Sequence, residues 1–69
     1  MKIPSNYYDK RKLASSDLRQ LTASKATSVE EMIRFVDVRF GFTKRFVFDW
    51  LEKYVDALEE NDGLYKWKL

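Results

Sequence analysis

Apolar residues between positions 29 and 58 recur with a helical period on either side of a single glycine, and this repeat restricts the chain to folds built from packed helices. Val29, Met32, Ile33, Val36 and Phe40 fall at i, i+3, i+4, i+7 and i+11, which makes one stripe on a wheel of about 100° per residue. Ser28 followed by Glu31 is a capping box, in which hydroxyl and carboxylate each satisfy a backbone N–H of the first turn. Helix two therefore opens there. Gly41 suits the left-handed position that ends a helix. Beyond it, Phe46, Val47, Trp50, Leu51, Tyr54, Val55 and Leu58 form a second stripe with Thr43 placed to cap it. This predicts a third helix running to Asn61-Asp62-Gly63, residues that tolerate positive φ.

The flanks are less regular. Leu13, Ala14, Leu18 and Leu21 predict a short first helix over about 15–24, capped by Ser15 or Ser16 ahead of Asp17. Thr22 to Ser28 reads as a polar connector. Residues 1–12 hold the only proline and read as a basic arm, with Lys10-Arg11-Lys12 behind Tyr7 and Tyr8, so that 13–69 forms the single helical domain. After Gly63 the pattern changes to period two, with Tyr65, Trp67 and Leu69 on one side of a half-buried strand. A lone strand leaves backbone donors and acceptors unpaired. Its partner is expected near Ser24–Thr27, at Lys2 and Ile3, or on a second copy.

Sixty-nine residues make one domain, and 45% hydrophobic with 35% charged residues fits a globular chain. With no Cys and no His, disulfides, thiolate nucleophiles, Cys/His metal sites and the one side chain that titrates near neutrality are all missing. A carboxylate pair would still need a pocket to separate its pKa values, so an enzyme is not expected, nor a small-molecule substrate. Glu30-Glu31 and Glu59-Glu60 lack the spacing of a calcium loop, and two glycines make no phosphate cradle. No cofactor or metal is expected. Nor is a membrane span or signal peptide, since no apolar run approaches about 18 residues. The default location is cytoplasmic.

Charge is unevenly spread. Residues 1–25 carry a net +4 and residues 26–62 a net −4, and Lys66 and Lys68 restore the overall +2. Lys44 and Arg45 stand at a helix start, where cations oppose the helix dipole. Such a local cost points to an anionic ligand. Phe35, Val38 and Phe42 form a second apolar row, rotated from the core stripe of helix two and requiring cover from the arm or from a partner. The eleven aromatic residues favour an interface as well, because rings are enriched there.

Ser28-Val29-Glu30-Glu31-Met32 opening helix two, Gly41 in the turn and Thr43-Lys44-Arg45 opening helix three resemble the winged-helix variety of helix-turn-helix DNA-binding domains, over residues 15–69. The resemblance implies a mainly α, three-helix domain with a short C-terminal strand. It also implies a third helix lying in the major groove, with Thr43, Lys44, Arg45, Phe48, Asp49 and Glu52 towards the duplex. Two features depart from the family: a single strand makes only a stub of a wing, and the expected outward face of helix three (Arg45, Asp49, Glu52, Lys53, Asp56, Glu59, Glu60) carries more acid than base.

Two functions follow as expectations. One is a small, dimeric DNA-binding regulator that uses Thr43, Lys44 and Arg45, the arm residues Lys10, Arg11 and Lys12, and Lys66 with Lys68. The other is a protein-binding adaptor or inhibitor that presents Phe35, Val38, Phe42 and Phe48 beside an acidic helix.

Overall fold

The computed structural model describes residues 6–68, so the readings on Lys2, Ile3 and Leu69 fall outside it. The chain runs α1 (Tyr7–Ser24), β1 (Thr27–Ser28), α2 (Val29–Phe40), α3 (Lys44–Lys53), a 3-10 turn (Val55–Ala57), β2 (Leu58–Asn61) and β3 (Leu64–Trp67). The domain is mainly helical with a short β wing, the fold class expected from the sequence.

Of the α2 capping box the serine half forms, while the Glu31 carboxylate accepts from the Lys25 ammonium at 2.9 Å. The Ser28 hydroxyl accepts from the Glu31 N–H at 3.1 Å. Gly41 ends the helix in the left-handed region at φ 72°, its N–H donating to the Asp37 carbonyl at 2.9 Å. Helix one differs. It starts at Tyr7, so Lys10, Arg11 and Lys12 belong to a helix and not to an irregular arm. Its cap is Asn6, whose side chain accepts from the Tyr8 and Asp9 N–H groups at 2.9 and 3.2 Å. Ser15, expected as a cap, accepts from the Trp50 indole N–H at 2.9 Å and ties α1 to α3.

Helix three is shorter than its apolar stripe suggests, and the last strand is one arm of a hairpin. α3 stops at Lys53, and Leu58 opens a strand. Asp62 (φ 54°) and Gly63 (φ 79°) form a two-residue turn with both central residues left-handed, the geometry that suits the twist of a hairpin and that Asp-Gly accommodates. The Glu60 carboxylate accepts from the Gly63 N–H at 2.8 Å. β3 then pairs antiparallel on both sides, with Thr27 and Ser28 of the connector and with all of β2, giving the order β1-β3-β2. Both edges of β3 are filled within one chain. Leu58 misled the sequence reading because it fits either period; Val55, expected in the same buried stripe, is 62% exposed.

One core joins these elements. Leu18, Met32, Val36, Val47, Trp50 and Leu58 form a buried cluster with Tyr65 and Trp67 of the hairpin packed against it. Buried Thr22 and Thr27 donate to the carbonyls of Leu18 and Lys25, each at 2.9 Å, which offsets the cost of removing a hydroxyl from water.

Candidate nucleic-acid interface

α1 and α3 lie side by side at a constant offset in sequence. Tyr7 meets Phe42 with ring centres 6.2 Å apart, and the Arg11 guanidinium sits 5.4 Å from the Phe46 ring centre. One turn further along, Ser15 holds Trp50. Four-residue steps on both helices keep the same faces together. Arg19, the next step on α1, lies 5.1 Å from the ring of Trp67, which packs against Tyr54 with centres 5.5 Å apart.

This register brings the opening turns of two helices to one end of the molecule. Lys10 sits 5.4 Å above the Phe42 ring, and Phe42 stacks on Phe46 at 4.7 Å. Lys44 and Arg45 lie between those two rings in sequence and are exposed. Lys10 and Arg11 thus sit over one aromatic stack, Lys12 follows them exposed on α1 with Asp9 as the acid on the same turn, and Lys44 and Arg45 stand on the first turn of α3. Among the described residues none of the five cations is in an ion pair; the ion pair there joins Lys25 to Glu31 at 2.9 Å. Lys25, first by its hydrogen bond and then by its charge, holds the Glu31 carboxyl below its usual pKa.

The outward face of helix three loses its acidic excess once the helix is given its true length, since Arg45 and Lys53 then stand against Asp49 and Glu52. Asp56 lies in the 3-10 turn, and Glu59 and Glu60 lie on β2. α3 itself carries Lys44, Arg45 and Lys53 against Asp49 and Glu52, a net +1. The acidic face expected from the sequence is therefore not a helix face. Thr43 occupies the cap position, but its side chain makes no capping bond; its carbonyl accepts from the Phe46 N–H at 3.1 Å.

Lys66 and Lys68 are not brought to this end. They flank Trp67, which lies against Arg19, about 12 Å along α1 from Arg11 at 1.5 Å per residue. Lys66 is opposite Glu59 in the hairpin, and the Lys68 ammonium donates to the Asp56 carbonyl at 3.3 Å. The expected apolar patch also divides. Phe42 is covered by Tyr7 and Lys10 of the same chain, and Phe35 is half-buried beneath Arg39 at 4.7 Å. Val38 is 77% exposed and Phe48, on α3, 50% exposed.

Sequence reasoning overlooked Arg19 and Lys53. Both line a groove of about 620 Å³ between α1 and α3, together with Arg11, Lys12 and Asp49. The signal was available: Arg11 and Arg19 are eight residues apart, close to one face of a helix, but only if helix one begins before residue 11. Among the described residues no acidic group is placed to hold a metal ion, and no helix is long and apolar enough to cross a membrane. Compared with known proteins, the chain matches no family model, no curated protein and no solved structure.

Proposed function

We propose that this protein is a small winged-helix regulator that binds duplex DNA, presenting the first turn of α3 to the groove and the first turns of α1 to the phosphate backbone. One observation carries the reading: Lys10 and Arg11 near the start of α1 are held over Phe42 and Phe46, the rings that flank exposed Lys44 and Arg45 at the start of α3, and none of these cations is in an ion pair among the described residues. Gathering like charges raises the energy of the free protein, and a polyanion relieves that cost while releasing its own counterions. The start of α3 adds to the attraction, because it has no side-chain cap and its N–H groups and dipole favour negative charge. On this reading Lys44 and Arg45 touch phosphates or base edges, Thr43 offers a hydroxyl free of capping duty, and Lys10, Arg11 and Lys12 hold the backbone.

The test is a salt titration of a fluorescent duplex. Binding is expected to be tight at low salt and to weaken by about 0.9 log units per contacted phosphate for each tenfold rise in salt. No binding at 20–50 mM salt, on the order of the lowest range where such contacts dominate, defeats the proposal.

A protein partner is the second reading, favoured by exposed Val38 beside a groove of about 400 Å³ floored by Leu21 and Phe35. Arg34 and Arg39 line the same groove, with Lys25 paired to Glu31 beside them. A two-fold contact there would oppose like charges, so this surface fits an acidic partner better than a second copy. Val38→Glu is expected to leave duplex binding intact while weakening capture of any such partner.

A further inference from the structure

The groove between α1 and α3 contains an unexplained set of cations. Arg11, Lys12, Arg19 and Lys53 line it against a single acid, Asp49, with Ser16 exposed between them. None of the four is in an ion pair among the described residues. Three are instead held over rings: Arg11 over Phe46, Arg19 over Trp67 at 5.1 Å and Lys53 over Tyr54 at 5.4 Å. A ring face orients a cation without neutralising it. The charges are therefore positioned and still available to an anion.

We infer that this groove is the seat of one phosphate strand, running from Arg11 and Lys12 to Arg19 and Lys53, so that the duplex is gripped along the flank of α3 as well as at its tip. The inference rests on the DNA-binding reading and specifies where the backbone lies. A helix about 10–12 Å across fills a major groove about 12 Å wide. The two phosphate strands then pass on either side of it. The flank of α3 towards α1 is this groove, and its α1 wall extends from Tyr8 to Arg19, roughly 16 Å of helix. A strand that winds beside the major groove travels further per phosphate than the roughly 3.4 Å it advances along the axis, so that length meets fewer than about five phosphates. The Trp50 indole holds Ser15 by its oxygen at 2.9 Å, leaving the hydroxyl proton of this groove residue free to donate.

The experiment compares salt slopes for duplex binding by the unaltered protein, by Arg19→Gln with Lys53→Gln, and by Arg34→Gln with Arg39→Gln on the other side of α1. Gln keeps most of each stem over its ring, and circular dichroism checks that all three proteins are folded. The groove pair is expected to lower the slope by about 1.8 and to weaken binding about 60-fold at 0.1 M salt, at about eightfold per lost contact. The charge-matched pair is expected to change the slope by less than half as much. Equal losses in both pairs would mean that net charge alone acts, and an unchanged slope in the groove pair would mean that the backbone lies elsewhere. Either result overturns the inference while duplex binding by the unaltered protein stands. Absence of binding by the unaltered protein overturns the DNA reading and this inference with it.

Discussion

The two ends of α1 meet surfaces that are both charged but differ in how the charges are placed. Near its C-terminal half stands the hairpin, where Glu59 is directly across from Lys66, Glu60 is occupied by the Gly63 N–H, and Lys68 reaches the Asp56 carbonyl. At its N-terminal end Lys10 and Arg11 sit over Phe42 and Phe46, and Lys12, Lys44 and Arg45 are exposed next to them in sequence, none of the five in an ion pair among the described residues. Neither Lys66 nor Lys68 is in an ion pair among the described residues, but a carboxylate directly across the hairpin and a carbonyl that accepts from the ammonium lower the field these charges offer a ligand. Charges collected and left unanswered add to a field that reaches solvent. This contrast, more than net charge, favours the α1–α3 end as the interface.

Removing what joins the two regions is expected to have the largest effect. Trp50 touches α1 through Ser15 and the hairpin through Trp67, ring centres 5.9 Å apart. Trp50→Ala is expected to cost about 3–5 kcal/mol, read as a lower urea midpoint. A loss below 1 kcal/mol would mean that the regions are held together by other contacts. Next in size is the contrast itself. Lys44→Gln with Arg45→Gln is expected to weaken duplex binding about 60-fold at 0.1 M salt, whereas Lys66→Gln with Lys68→Gln shifts it only a few-fold. Equal losses would erase the distinction between the ends.

A smaller effect tests the hairpin alone. Gly63 has φ 79° and open space where a Cβ would stand, so Gly63→Val carries backbone strain without a clash. About 1–2 kcal/mol is expected, with the DNA slope unchanged. Smallest is Lys25→Ala. It removes the main cause of the lowered Glu31 pKa, and a carboxyl whose folded pKa is depressed contributes stability at neutral pH that is lost as pH falls through that value. The variant should show Glu31 titrating closer to its ordinary pH by NMR, with a slightly flatter acid limb in the unfolding curve. No movement of the Glu31 titration would mean that the ion pair is not formed in solution.

Much of the framework was legible in the residues. The α2 boundaries, the Gly41 turn and the alternation of Tyr65 and Trp67 agree with the structure, and of the three partners open to that strand the connector is one that the structure uses, beside β2, which the residues did not suggest. The Asp62-Gly63 pair was read as a helix stop although it is also a hairpin signal, because Leu58 continued the helical stripe of α3 in phase. That one ambiguity turned β2 into helix and gave α3 an acidic face it does not have. The candidate site was half legible: Lys44 and Arg45 stood out, but Arg19 and Lys53 become neighbours only once α1 and α3 are aligned, and the register of two helices is not a local property.

Caps, the left-handed glycine and the two-residue turn were readable because each depends on hydrogen bonds and dihedral angles spanning a few residues, with the Ser28 hydroxyl three positions from the N–H it binds. The end of α3, the covering of Phe42 by Tyr7 and Lys10, and the assembly of a cationic groove from residues more than thirty positions apart belong to packing. Several arrangements satisfied the same local preferences. Burial of Leu58, Tyr65 and Trp67 against one core, which sums many weak contacts over the whole chain, selected among them.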